Sequence, residues 1–202
     1  VLCDEAGRLI DGDDIMAIAA LEMLAQGTLA ERTLVTTVMS NSGLAAAVQA
    51  AGGRVMSAPV GDKNVIDEML RGGFNFGGEQ SGHLIFREFS TTGDGLVAAL
   101  QILRIMRATG KPLSELVGCW TRFPQIVTNV VVREKLPFEK LDGVTALAAE
   151  AEKELQAQGG RLLLRYSGTE PKARLLVEGR DLKVLEKWSQ RIGEALKRQI
   201  GA

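Results

Sequence analysis

The run Leu34-Val35-Thr36-Thr37-Val38-Met39-Ser40-Asn41-Ser42-Gly43 decides the fold: an apolar, β-branched segment ends in a cluster of small capping residues. Leu44 to Ala51 follows as a helix stopped by Gly52-Gly53, and Arg54 to Ala58 reads as another short strand. A buried strand, a capped helix and a second strand in so few residues form a βαβ unit, which implies a parallel pair of strands. Upstream, Asp11-Gly12-Asp13-Asp14 opens a helix through Ile15 to Leu24 that stops before Gly27, acids first and glycine last. Downstream, a helix over Val65 to Leu70 ends at Gly72-Gly73, and His83 to Phe86 reads as an apolar strand. A long helix from Gly95 to Ala108 is expected to bury Leu96, Leu100, Leu103 and Met106 on one face.

From Gly118 the texture changes. Pro124 to Val132 is extended and β-branched, and Val144 to Gln158 is a helix rich in Ala and Glu. Arg161 to Tyr166 and Lys172 to Glu178 are strands around a tight turn, and Leu182 to Ile200 is a closing amphipathic helix. The expected architecture is therefore α/β, a mixed or parallel α/β/α sandwich domain followed by a small α+β domain.

The 202 residues suffice for two such cores. A net charge of -1 gives no electrostatic basis for binding nucleic acid or an anionic membrane. No apolar run reaches the roughly 20 residues of a membrane span, and the acidic N-terminus does not read as a signal peptide. Two distant cysteines, Cys3 and Cys119, give neither a disulfide framework nor metal-ligand spacing, so a cytoplasmic setting is expected.

Three loops bring glycine, hydroxyl and charged residues together. Gly77-Gly78-Glu79-Gln80-Ser81-Gly82-His83 carries the acceptors and donors that sugar hydroxyls need, although a tight turn satisfying its own backbone reads equally well. Arg165-Tyr166-Ser167-Gly168-Thr169-Glu170-Pro171, with Lys172 and Arg174, makes either a phosphate cradle or a hairpin turn with solvated charges. Thr91-Thr92-Gly93-Asp94-Gly95 is better explained as a helix cap, and so are Asp11, Asp13 and Asp14, which lack the continuation of a calcium loop.

Taken in order, Gly78 to His83 resembles the sugar-recognition loop of the α-D-phosphohexomutase superfamily, and Arg165 to Pro171 its phosphate-binding loop. Val38 to Asn41, Val60 to Lys63, Thr92 to Gly95 and, above all, Gln80 resemble the phosphoglucosamine mutase branch. Tyr166 departs from the proline usual there, and Asn64 from an aromatic.

The resemblance implies interconversion of glucosamine 6-phosphate and glucosamine 1-phosphate through a phosphoserine and a bisphosphorylated intermediate. Arg165, Ser167, Gly168, Thr169 and Arg174 would hold the phosphate, and Glu79, Gln80 and Ser81 the ring. His83 is a candidate for proton transfer and Lys63 for the incoming phosphate. The family's Ser-His-Asn-Pro and Asp-Gly-Asp-Gly-Asp-Arg loops are absent from this sequence. Mg²⁺ is thus expected only in the full-length enzyme, with no metal ligand in this chain. The resemblance places residues 1–8 as the last strand of a preceding domain, 9–119 as the sugar-recognition domain and 120–202 as the phosphate-binding domain. Partners implied are a hexosamine phosphate, the N-terminal domains and a homodimer of the whole protein. A chain of this kind is expected to be inactive alone. Two other readings stay open, a non-catalytic phosphosugar-binding or regulatory module and a piece of a phosphomannomutase or phosphoglucomutase.

Overall fold

β3 (Thr33–Thr37) is buried at every residue. It pairs in parallel with β4 (Arg54–Ala58) on one side and β5 (Phe76–Gly78) on the other, and β6 (Leu84–Phe86) adds an antiparallel edge. The sheet order β4-β3-β5-β6 means that the chain leaves β3 toward one edge and returns on the other side of it. Such a reversal opens a crevice at the carboxyl ends of the strands. The computed structural model describes Val1–Ala202, and these residues divide into two compact units, Val1–Arg122 and Phe123–Ala202.

In the first unit, a small antiparallel ribbon, β1 (Leu2–Cys3) with β2 (Leu9–Ile10), precedes α1 (Gly12–Gln26). Asp11 caps α1 by accepting from the N–H groups of Asp13 and Asp14, while Asp14 accepts from the Asp11 N–H, a reciprocal capping box. α1 has apolar residues on every side and is buried accordingly. Asn41 caps α2 (Ser42–Ala50), and α3 (Asp62–Gly72) lies between β4 and β5 in the chain. Asp94 caps α4 (Gly95–Thr109), accepting from Leu96 and Val97. The short α5 (Leu113–Leu116) runs into a single 3-10 turn that ends at Cys119. Both cysteines are free.

The expected face of α4 is wrong at three of its four positions, and only Met106 packs against the core. Ala98, Ile102 and Ile105 are the buried positions, against α1 and β6, whereas Leu96 is 72% exposed, Leu100 54% and Leu103 55%. Both sets recur at i, i+4 and i+7, so periodicity alone cannot choose between them. The set containing alanine faces inward, where a small side chain permits close helix packing.

In the second unit, β7 (Gln125–Val131), β8 (Arg161–Tyr166) and β9 (Lys172–Glu178) form an antiparallel sheet in the order β7-β9-β8. α6 (Asp142–Gln156) and α7 (Leu182–Ile200) cover one face of it. Ala173, Leu175 and Val177 point into that core with Trp188, Ile192 and Leu196, so Lys172, Arg174 and Leu176 occupy the other face. A fully buried leucine or isoleucine here contributes roughly 1.5–3 kcal/mol. No helix of the chain is long and apolar enough to cross a membrane.

Candidate functional site: a sugar-type cleft and a phosphate-type loop

The crevice at the carboxyl end of β3 is a cleft of about 450 Å³. Glu79, Gln80, Ser81 and His83 line it together with Thr37, Met39, Val60 and Asp11. The loop that carries them is rigid for identifiable reasons. The Glu79 N–H donates to the His83 carbonyl at 2.9 Å, and the Gly82 N–H to the Glu79 carbonyl at 2.9 Å. Gly82 adopts φ +101°, a conformation that favours glycine. From below, the Gly12 N–H donates to the Gln80 carbonyl at 3.0 Å. A methyl at Gly12 would lie 2.1 Å from the Glu79 carbonyl oxygen, so only glycine lets the start of α1 support the loop this closely.

Within the cleft, Glu79 Oε1 accepts from the Gly61 N–H at 2.9 Å, which orients the carboxylate and leaves its second oxygen available. Ser81 Oγ and His83 Nδ1 lie 3.4 Å apart, and both residues are exposed. Lys63 is not among these lining residues. It borders a separate hollow of about 140 Å³ with Asp62, Thr91, Thr92 and Gly93. Asp11, expected only as a cap, also borders the cleft, and no sequence pattern distinguishes such a cap from any other.

Asp13 behaves differently from its neighbours. It is fully buried, its Oδ2 accepts from the Asn41 N–H at 2.9 Å, and its Oδ1 has no partner. Burial pushes its carboxyl up to about 6, against the opposing effect of the Asn41 and Ser40 hydrogen bonds. Arg122 reaches all three acids, at 2.8 Å from Asp11, 4.0 Å from Asp13 and 3.3 Å from Asp14. These acids are thus engaged by the helix start, the α2 cap and an arginine. No group of three or more His, Cys, Asp or Glu side chains is arranged to hold a metal ion, so the residues present do not fit a magnesium site.

The second loop joins β8 to β9. Arg165 sits directly opposite Arg174 across the two strands. Like charges in that position repel, and a fold gains nothing from the pairing by itself. Glu170 relieves part of the repulsion, with its carboxylate 2.8 Å from Arg174 and 2.5 Å from Lys172. These contacts hold the Glu170 carboxyl below its usual range, chiefly through the Lys172 hydrogen bond and then that of Arg174. Arg165 makes no ion pair, and Arg174 Nε is buried without a partner.

The turn itself is fixed at its base. The Ser167 N–H donates to the Lys172 carbonyl at 2.9 Å, and the Glu170 N–H to Ser167 Oγ at 3.3 Å. The N–H groups of Gly168 and Thr169, both exposed, find no acceptor in the protein. Two adjacent free N–H groups on a turn whose strands carry paired arginines are donors suited to an anion. The structure therefore brings Arg165, Ser167, Gly168, Thr169 and Arg174 together around one turn. Tyr166, which stands where the resembling family has proline, stacks on Phe138 at 4.3 Å and donates to the Leu136 carbonyl at 2.6 Å. These contacts supply locally the rigidity that a proline ring would give.

Comparison with known proteins gives the family. The model described as phosphoglucomutase/phosphomannomutase, alpha/beta/alpha domain III, matches residues 11–123, and that of the C-terminal domain matches residues 127–195. Phosphoglucosamine mutase from Syntrophotalea carbinolica is 49% identical over 201 residues, which are 100% of this chain and 44% of that protein. The enzyme of the same name from Anaeromyxobacter dehalogenans is 51% identical over the same shares of 100% and 44%. The chain thus spans under half the length of these relatives. Among solved structures, Aspergillus fumigatus N-acetylphosphoglucosamine mutase superposes with a TM-score of 0.80 at 20% identity, over 98% of this chain and 45% of that one. Its complex with GlcNAc-6P and magnesium gives 0.77 at 21% identity, over 96% and 49%. At such identities the structures show the shared fold alone. With both of its units matched in order by the family's own domains, the chain belongs to the phosphoglucomutase/phosphomannomutase family.

Proposed function

We propose that this chain supplies the ring-binding and phosphate-binding loops of a phosphohexose mutase that interconverts glucosamine 6-phosphate and glucosamine 1-phosphate. The observation that carries the reading is the opposition of Arg165 and Arg174 beside the free N–H groups of Gly168 and Thr169. A fold that places two arginines face to face is arranged for an anion. Phosphate, with three oxygens and the geometry for bidentate arginine contacts, is the anion such a turn suits best. In the first unit, Glu79 would accept from ring hydroxyls, Gln80 and Ser81 would complete the set, and His83, which lines the same cleft, would hold a proton of a sugar hydroxyl. Lys63, from its separate hollow, assists only an incoming phosphate.

Phosphoryl transfer depends mainly on positioning and charge stabilisation. The residues of this chain therefore bind and orient, while the phosphoserine and the Mg²⁺ belong to parts of the full-length enzyme outside it. The exposed Leu96, Leu100 and Leu103 stripe of α4 is the surface best suited to contact those N-terminal domains, or a second copy in a homodimer. Titration calorimetry of the chain with glucosamine 6-phosphate tests the reading. Binding that weakens about tenfold in both Arg165→Ala and Glu79→Gln supports it, and affinity indifferent to both refutes it.

A further inference from the structure

Three stitches tie the segment that follows β7 to the phosphate-type turn. The Val132 N–H donates to the Pro171 carbonyl at 2.9 Å, Lys135 Nζ to the Ser167 carbonyl at 2.6 Å, and the Tyr166 hydroxyl to the Leu136 carbonyl at 2.6 Å. The outer two anchor the shoulders of the turn. The middle one acts on the peptide that leads from the base of the turn to Gly168. A trans peptide aims its C=O and its N–H in opposite directions. With the Ser167 carbonyl held toward Lys135, the Gly168 N–H of the same peptide must point away from Lys135, where it finds no acceptor in the protein. Ser167 is 4% exposed whereas Gly168 is open to solvent, so this peptide crosses from the interior to the surface.

The local backbone does not enforce that direction. Gly168 lacks a side chain, and a methyl built there would meet no atom within 4 Å. Nor does the Ser167 carbonyl take the usual N–H of the third following residue, because the Glu170 N–H goes instead to Ser167 Oγ. Without Lys135 the peptide would be free to rotate, and its N–H would lose its fixed aim.

We infer that Lys135 is a positioning residue for the phosphate loop: by binding the Ser167 carbonyl it presets the Gly168 N–H toward the anion. This rests on the reading of the turn as a phosphate site. Sequence patterns conceal the role, because Lys135 lies some thirty residues before the loop in an unremarkable Arg133-Glu134-Lys135 run. Only the register that pairs Val131 with Lys172 brings it to the turn.

Amide NMR of the full chain, titrated with inorganic phosphate, is the test. In the unmodified chain the Gly168 and Thr169 amides should shift saturably. Lys135→Met should move or broaden the Gly168 amide before any phosphate is added and weaken phosphate binding about three- to tenfold. Lys135 is exposed, so the variant should remain folded, with the amides of β3 unchanged. Lys135→Arg, which keeps a charged donor, should restore both properties. Weaker binding in Lys135→Met with an unmoved Gly168 amide would reduce Lys135 to a distant charge and overturn the positioning role. So would unchanged binding. An unmodified chain whose Gly168 and Thr169 amides ignore phosphate would overturn both this inference and the phosphate reading beneath it.

Discussion

At Gly168 the backbone lies outside the left-handed region, and a methyl would strike nothing within 4 Å, so the fold does not itself require glycine. Space kept clear at an anion-type turn is space for a ligand to approach the backbone. Gly168→Ala is accordingly expected to leave thermal stability unchanged or to raise it by roughly 0.4–1 kcal/mol, through the loss of unfolded-state entropy. Phosphate binding should weaken in the same variant, and calorimetry together with a melting curve separates the two effects. Gly12 is the opposite case, since a methyl there would overlap the Glu79 carbonyl. Asp13 makes a prediction about pH. Its folded carboxyl titrates near 6 while an unfolded aspartate titrates near 3.8, so the native state holds the proton more tightly. Its contribution to stability is fully present below the unfolded value and is lost as pH rises toward 6, by an amount on the order of 3 kcal/mol. Asp13→Asn keeps an acceptor for the Asn41 N–H, and denaturant unfolding between pH 4 and pH 7 should show that this portion of the pH dependence has disappeared. A variant with the same slope as the parent would contradict the assignment.

Among the elements, α4 separates what the pattern can specify from what packing decides. Ile102→Ala should cost about 2–5 kcal/mol in chemical unfolding, whereas Leu100→Ala should cost under about 1 kcal/mol, because Ile102 is buried and Leu100 half exposed. The reverse ranking would restore the face that periodicity first suggested. Much else was legible. β8, β9 and α7 follow directly from short apolar runs, a Ser-Gly-Thr turn between them and an amphipathic period, all of them local signals. Asn41 and Asp94 read as caps and act as caps, since a cap depends only on the next few residues. What escaped depends on contacts between distant residues. Lys135 reaches the turn through strand register, Asp11 borders the cleft because of where the loop at Glu79 crosses α1, and β2 forms only because β1 is there to pair with it. The Glu79 and Arg165 loops could be singled out from composition, but the proposal of a site over a bare turn draws on the crevice beside β3 and the arginine pair across β8 and β9, which composition does not reveal.

For the whole molecule, family membership and partial span set the expectation together. The chain matches two consecutive domains of the family and under half the length of its curated relatives. On the proposed reading its residues bind and orient, and it carries neither the serine loop nor the metal loop of the resembling superfamily. In a coupled assay with glucosamine 6-phosphate, the 202-residue chain should therefore show no turnover above background, and reproducible conversion would refute that. The central claim is that the two loops recognise different parts of a phosphorylated hexosamine. Amide NMR of the full chain, titrated in parallel with inorganic phosphate and with glucosamine 6-phosphate, tests it most directly. Phosphate should perturb Gly168 and Thr169 while leaving Glu79 and Ser81 unmoved, and the sugar phosphate should perturb both groups. Shifts confined to residues outside both loops, or none at all with either ligand, would contradict the account.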